Sequence, residues 1–383
     1  MSNEVVEKWL KSRKFAQVNG KRLRPIEHTL LKGTPLSVQK GQAEAYCFSD
    51  ENGQNWILKK FNNGKNLDPE YLNSIASLLP KDVAFKAGTQ RQVLSVCTLN
   101  RNTGCYYTAA LANWLDGTVL MPKIPGCDWS ATADDIREGK LKLQKGHRIQ
   151  LASNLANLIL VLEQNNCCHR DISSGNVFII IASGEIYLID FDSMYHPNLA
   201  MPKATTCGSV GYTSPYAWHL NNLDAKRTWC LYADRYALAI IIVEFLTLDK
   251  DSPLTADGGM FEQEELRKHG GKGIDDVKKV LSKEWAQVLP LFDAVINSRN
   301  FASCPSPQDW QKVLDKTPEA RIKPPRIDQM ESIRSGYFDE ILGKLRSAAP
   351  LYPTPNLSDM PAVSLNVSQI VARPVSLPPD PWN

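Results

Sequence analysis

Three things are missing from this 383-residue chain, and each absence narrows what it can be. No Cys-x-x-Cys pair occurs among its nine cysteines, and nine is odd, so neither a structural zinc site nor a disulfide framework is expected. The adjacent Cys167 and Cys168 read as buried free thiols. Charge of one sign is not in excess: the formal net charge of +3 is too near neutral to call for nucleic acid or an anionic membrane as partner. Long hydrophobic runs are absent as well. The longest, Tyr236 to Leu248, is too short to span a bilayer and carries Glu244 inside it. Met1 to Leu10 is charged and polar, unlike a secretory leader, so a reducing cytoplasm is the expected compartment. With 43% hydrophobic and 22% charged residues, the chain has the make-up of a globular protein, and its length allows two or more compact units.

What is present centres on Cys167 to Met194, CCHRDISSGNVFIIIASGEIYLIDFDSM. Val177–Ile181 and Ile186–Ile189 are short β-rich runs joined by Ala182-Ser183-Gly184-Glu185, a hairpin signal. Such a hairpin gathers Asp171, Asn176 and Asp190 at one end. Two carboxylates and an amide suit magnesium, a hard cation that takes oxygen ligands, and so suit a phosphate-transferring site.

The flanking chain divides in two. Strands are expected at Thr29–Leu31, Ala45–Phe48 and Trp56–Phe61, the last two joined by a turn at Asp50-Glu51-Asn52-Gly53. Lys59 then lies on the face opposite Trp56 and Leu58. A helix follows, with Asp68 as N-cap and Pro69 at its first position, and then strands at Gln92–Val96 and Thr118–Met121. Beyond Pro122 the pattern is mostly helical: Gly146–Gln164, a buried Tyr232–Leu246, helices over Asp276–Ile296, and Pro307–Leu314, with Trp285 and Trp310 as core anchors. Ser193 to Pro215 is a long irregular segment of the kind that either carries function or is disordered. Residues 1–25 read as an N-terminal extension with a short helix over Glu4–Lys14 and a solvated basic patch over Lys11–Arg24, and 319–349 as an extension with one helix over Asp328–Leu345. Eight prolines between Pro350 and Pro381 make 350–383 a disordered tail, a spacer that also offers a PxxP-type ligand to a partner.

Read together, these pieces resemble the protein kinase family over about Ile26 to Lys316. His169-Arg170-Asp171 with Asn176 five residues after the aspartate matches the catalytic loop H-R-D-L-x-x-x-N. Asp190-Phe191-Asp192 matches D-F-G in two places, and Gly208-Ser-Val-Gly211-Tyr212-Thr-Ser-Pro215 resembles the close of the activation segment. Asp234 matches the aspartate that opens the long buried helix, and Pro305–Trp310 the entry to the last helix. The resemblance implies an α+β bilobal fold: a small antiparallel-sheet lobe with one helix at 26–121, then a larger, mainly helical lobe at 122–318. It implies ATP and Mg2+ as cofactors and a protein substrate. Asp171 would be the base that accepts the hydroxyl proton, and Asn176 and Asp190 would hold magnesium. Lys59 would pair with the α- and β-phosphates, and Arg170 would bind a phosphorylated residue. Met121 would be the gatekeeper, with the Pro122 carbonyl and the Ile124 N–H meeting adenine; Gly41 would lie in the phosphate-covering loop and Glu70 would pair with Lys59.

The departures point to an atypical, bacterial-type serine/threonine kinase. KGQAEAY keeps only Gly41 of the glycine-rich loop, with Ala43 in a glycine position. Ile57 replaces the alanine two before the lysine, Ser173 a lysine, and Asp192 the glycine of D-F-G. Tyr216 and Ser303-Cys304 stand where the family has a buried glutamate–arginine pair, so both halves are lost together. Thr205, Thr206, Ser209 and Thr213 are candidate self-phosphorylation acceptors. Two other readings stay open: a small-molecule kinase of the aminoglycoside or choline type, whose metal motif IDFD fits, and a pseudokinase that binds nucleotide or serves as a scaffold.

Overall fold

The computed structural model describes residues 2–40, 43–62, 68–94, 104–203, 205–253, 255 and 259–317. Gly41, the end of the strand expected to reach Val96, the helix expected over Asp328–Leu345 and the proline-rich tail lie outside the described residues. The protein is mixed α and β, built on one curled antiparallel sheet and twelve helices among the described residues. In chain order the first helices are α1 Ser2–Ser12, α2 Pro69–Leu78, α3 Lys86–Thr89, α4 Ala109–Leu115, α5 Trp129–Arg137 and α6 Lys145–Gln164. The rest are α7 Ala225–Thr228, α8 Asp234–Thr247, α9 Gln263–Arg267, α10 Lys272–Glu284, α11 Leu289–Ile296 and α12 Pro307–Leu314.

The main sheet comprises β1 Ala16–Val18, β2 Lys21–Pro25, β3 Ser37–Lys40, β4 Ala43–Asp50, β5 Asn55–Phe61, β6 Gln92–Leu94 and β7 Thr118–Pro122. Its order is β1-β2-β4-β5-β7-β6, and β3 also pairs with β4. The β4–β5 turn forms because Asp50 Oδ1 accepts from the Asn52 and Gln54 N–H groups at 2.9 and 2.8 Å, while Gly53 takes a positive φ of 79°. In β5, Trp56 and Leu58 are buried on one face and Ile57 and Lys59 are half-buried on the other.

Two expectations give way here. Thr29–Leu31 is not a strand but part of an excursion between β2 and β3, with Leu30 52% and Leu31 58% exposed. Its N–H groups find local acceptors: His28 Nδ1 takes those of Leu30 and Leu31, both at 3.2 Å, and Glu27 takes that of Gly33 at 2.6 Å. Side-chain bonds of this kind compete with a ladder for the same donors. Residues 1–25 are no loose extension either. The basic side chains of β2 alternate with buried Leu23 and Pro25, so the charges face solvent while the strand joins the sheet. Trp9 of α1 is fully buried with Phe48, Trp56, Leu58 and the Leu111, Trp114 and Leu115 side chains of α4. One face of the sheet is thereby covered.

The helical remainder packs around α8, which is apolar on nearly every side and buried along its whole length except at Arg235. Helices α6, α10 and α11 and the turn Phe301–Ser303 pack against it, and α12 packs on α6. The stretch Asp276–Ile296 is two helices, α10 and α11, broken where Trp285 turns into the core and its Nε1 donates to Leu246 O at 3.0 Å. Helix α12 starts on a capping box, Ser306 with Asp309, followed by Pro307. The hairpin, β9 Val177–Ile180 and β10 Glu185–Leu188, takes β8 Cys127–Asp128 as a third strand. A short pair, β11 Trp218–His219 and β12 Asn222–Leu223, follows the irregular segment. Among the described residues no helix is long and apolar enough to cross a membrane.

Candidate functional site

The loop between α6 and β9 is pinned by one carboxylate. Asp234, buried in the first turn of α8, accepts the His169 N–H at 2.6 Å and the Arg170 N–H at 2.7 Å. His169 Nε2 donates to Ile189 O at 2.7 Å and Nδ1 accepts the Asp171 N–H at 3.2 Å, which assigns the tautomer from its partners. Arg170 takes a left-handed φ of 68°, a strained choice for a residue with a Cβ. Its guanidinium is buried against Trp229 and donates to carbonyls and hydroxyls, among them Ser193 O, Thr205 Oγ1, Thr206 O and Thr228 O. Burial lowers the pKa of this cation. Arg170 thus ties the irregular segment to the loop through neutral acceptors.

The expected site residues fall into two neighbouring sets. In the first, Asn176 Nδ2 donates to Asp171 O at 2.8 Å and to Asp171 Oδ2 at 3.3 Å, and Ser209 Oγ donates to Asp171 Oδ1 at 2.7 Å. In the second, Lys59 Nζ donates to Asp190 Oδ1 and, at 2.6 Å, to Asp192 Oδ2. The same Asp192 accepts from Arg91 Nη2 through its other oxygen. His169, bonded on one side to Ile189 and on the other to Asp171, connects the sets. Asp190 also takes a left-handed φ, 66°, so Arg170 and Asp190, two of the non-glycine residues strained in this way, flank the hairpin.

Electrostatics separates the two acids of the second set. Burial works against both, but Lys59 and Arg91 hold Asp192 well below the usual carboxylate range. Asp190 is pushed upward, by burial first, with Lys59 opposing and the nearby Asp192 charge reinforcing. Burial alone would lower Lys59, yet the two carboxylates keep it above its ordinary value.

Glu70 lies exposed in the first turn of α2, and the carboxylates on Lys59 are Asp190 and Asp192. Lys60, the next residue of the same strand, donates to Trp114 O at 2.7 Å and Asp116 O at 2.9 Å at the end of α4. Met121 pairs in register with Ile57 across β5 and β7 and packs with Phe178, Ile180 and Ile189 around Ala87, Ile124 and Tyr187. This apolar cluster abuts Asp190 in sequence through Ile189, and Met121 and Ile124 both belong to it. Sequence reading missed Arg91, Phe178 and Ile189. Phe178 and Ile189 were legible as hairpin residues, whereas nothing in the letters around Arg91 marks it.

Phe191 is buried with its ring 4.7 Å from His169 and 6.2 Å from Phe85. Gly88 in α3 leaves it room: a Cβ there would sit 2.3 Å from Leu79 Cδ1 and 2.8 Å from Phe191 Cδ2. Gly88→Ala should therefore destabilise the fold by about 1–3 kcal/mol through overpacking, despite alanine's better helix propensity. Equilibrium urea unfolding checks this, and a variant as stable as the parent would mean Phe191 can move freely.

The irregular segment is anchored at its close. Glu244 of α8 accepts from Trp129 Nε1 at 2.8 Å, from the Tyr212 hydroxyl at 3.1 Å and from the Met260 N–H at 3.3 Å. Tyr216 bonds Ser298 and packs edge-on against Phe301 and Tyr236, with Ser298 also 3.3 Å from Cys304 Sγ. A neutral hydrogen-bonded aromatic cluster occupies the position where a buried ion pair was expected to be absent. The four candidate acceptor hydroxyls are all engaged: Thr205 with Arg170, Thr206 with Gly208 O, Ser209 with Asp171, and buried Thr213 with Ser209 O.

Among the described residues no group of three or more His, Cys, Asp or Glu side chains is arranged to hold a metal. Asp190 and Asn176 supply two oxygen-bearing side chains, a number that fits Mg2+ when phosphates and water complete its shell. The chain matches no protein-family model, and no curated protein matches its sequence.

Proposed function

We propose that the chain is an ATP- and Mg2+-dependent phosphotransferase of protein-kinase-like, bilobal build, which phosphorylates serine or threonine hydroxyls of a protein. The observation that carries this reading is one ion pair. Lys59 of the antiparallel sheet reaches Asp190, 131 positions away, at the mouth of the hairpin that also holds Asp171 and Asn176. A cation for phosphates, a carboxylate–amide pair for a metal and a further carboxylate for a hydroxyl are the parts that phosphoryl transfer needs. That reaction is catalysed mostly by positioning and electrostatics.

In this reading Asp171 orients and deprotonates the attacking hydroxyl. Its Oδ1 already accepts a hydroxyl, that of Ser209, at 2.7 Å, which is the reach a general base requires. Lys59 binds the nucleotide phosphates, and Asp190 with Asn176 would hold Mg2+, which neutralises charge on the transferring group. Ile57, Met121, Phe178 and Ile189 would form the apolar bed for a base, next to buried Ile124 of the same cluster. Arg170 orders the irregular segment on which a protein substrate would lie.

Incubation of the purified chain with γ-labelled ATP and Mg2+ tests the proposal. Label should appear on serine or threonine of the chain itself or of a generic basic protein. Label passing only to aminoglycoside or choline-type alcohols would move the chain to the small-molecule class. Thermal stabilisation by ATP and Mg2+ with no transfer at all would make it a nucleotide-binding module.

A further inference from the structure

We propose that Asp192 and Arg91 together position the phosphate-binding lysine, with Asp192 holding Lys59 and Arg91 holding Asp192, in place of the glutamate expected from helix α2. This rests on the phosphotransferase reading and adds to it how the phosphate-binding cation is kept in place.

The geometry carries the inference. Asp192 uses one carboxylate oxygen for Lys59 and the other for Arg91, so its charge is shared between two cations. The Arg91 side chain is 3% exposed, and its Nε finds no acceptor among the described residues. A buried guanidinium with an unsatisfied N–H is destabilising unless a charge-assisted bond offsets it, and the Asp192 contact is that bond. The backbone under Asp192 is fixed. The turn Phe191–Ser193 has Phe191 buried against Phe85, and the Tyr71 hydroxyl donates to Met194 O at 2.6 Å. Arg91 leads directly into β6, whose Val93 N–H is bonded to Asn73. Both anchors therefore belong to packed elements, braced in part by Tyr71 and Asn73 of α2.

The arrangement divides labour between the two acids. Asp190 and Asp192 share Lys59, and Asp190, the more exposed of the two, is the one the phosphotransferase reading assigns to a metal. Were Asp192 absent, Lys59 would depend on Asp190 alone. Any metal drawing Asp190 away would then leave the ammonium without a carboxylate. With Asp192 held by Arg91, Lys59 keeps a partner while Asp190 turns to other work. Two carboxylates against two cations leave the cluster formally neutral, which suits its burial.

The experiment compares Asp192→Gly, Arg91→Met, Arg91→Lys and the double variant Arg91→Met/Asp192→Asn with the parent chain. The readouts are KM for ATP, kcat, the Mg2+ requirement and the thermal midpoint. Asp192→Gly, which installs the residue usual at that place in D-F-G, should raise KM for ATP by roughly ten- to a hundredfold, the scale of a misplaced binding group. Arg91→Met should do the same, and Arg91→Lys should recover part of the loss. Asp192→Gly leaves buried Arg91 without its carboxylate and Arg91→Met leaves two carboxylates facing Lys59 alone, so both should lower the midpoint. The double variant should regain stability while keeping the raised KM, a split that a purely structural pair would not give.

A parent-like KM in Asp192→Gly overturns the inference even if transfer itself is normal. So does a raised Mg2+ requirement in Asp192→Gly that Arg91→Met does not share, because Asp192 would then be a metal ligand. Failure of the parent chain to bind ATP at all sinks the phosphotransferase reading, and this inference with it.

Discussion

Asp171→Asn is expected to lower phosphoryl transfer by roughly 10²–10⁴-fold, the range of a lost general base, while ATP binding and stability stay close to those of the parent. The isosteric amide fits the local bonds. Asp171 Oδ2 accepts from Asn176 Nδ2, and Oδ1 accepts from the Ser209 hydroxyl. An asparagine can turn its oxygen to Asn176 and its NH2 to Ser209, whose hydroxyl rotates from donor to acceptor. The bond from Asn176 Nδ2 to the Asp171 carbonyl, 2.8 Å, is untouched because it uses the backbone. What the amide cannot do is accept a proton. Initial rates with labelled ATP, set beside ATP-induced thermal shifts, separate chemistry from binding. Equal rates for the two proteins would remove Asp171 from the mechanism. A variant that has lost ATP stabilisation as well would mean that Asp171 serves the nucleotide rather than the hydroxyl.

Much of this arrangement was legible in the letters because it is local. The hairpin ends, the Asp68 cap and Pro69 of α2, the Asp50–Gly53 turn and the start of α12 at Pro307 all depend on residues within a few positions of one another. The fully apolar pattern of α8 likewise announced its burial. The misreadings were non-local. Residues 1–25 looked like a charged extension, since nothing in a basic segment says that Leu23 will pair beside Asp50 or that Trp9 will be capped by α4. Leu30 and Leu31 looked like a strand until His28 and Glu27 took the backbone donors.

The site shows the same division. Asp171, Asn176 and Asp190 are close in sequence and were found together, whereas the partner of Lys59 had to be chosen from the whole chain. Glu70 was the nearest glutamate on the expected helix, but it lies in the exposed first turn, and Asp192 stands where the lysine points. Asp192 looked only like an added charge near a metal until Arg91, 101 positions away, supplied its counterion. A pairwise charge network of this range leaves no periodicity in a single sequence, so pattern reading alone had no means of locating it.

Glu244 should make stability depend on pH in a direction opposite to that of most carboxylates. It is 2% exposed, and burial pushes its pKa from the ordinary 4.5 up to about 7, although Trp129, Met260, Tyr212 and the charge of Arg137 each oppose the rise. The folded chain therefore holds a proton at Glu244 that the unfolded chain has released between about pH 4.5 and 7. Folding is favoured by that proton below the window, and the advantage is lost as pH rises through 7. The difference corresponds to about 3 kcal/mol between the two limits, at 1.36 kcal/mol for each unit of pKa. Tyr212, which also faces Glu244, is itself raised by burial and stays neutral throughout the range, so it does not reverse the sign.

Urea unfolding of the parent and of Glu244→Gln at pH 5 and pH 8 isolates this contribution, because other titrating groups are common to both. Glutamine can accept only one of the two N–H donors, Trp129 Nε1 and Met260 N, that sit on different oxygens, so the variant should be weaker at pH 5. It should gain on the parent as pH rises, since it has no buried charge to create. If the stability difference between the two proteins is the same at both values, Glu244 keeps a single protonation state across the range. The three bonds to Trp129, Tyr212 and Met260 would then be strong enough to hold the bare carboxylate inside the core.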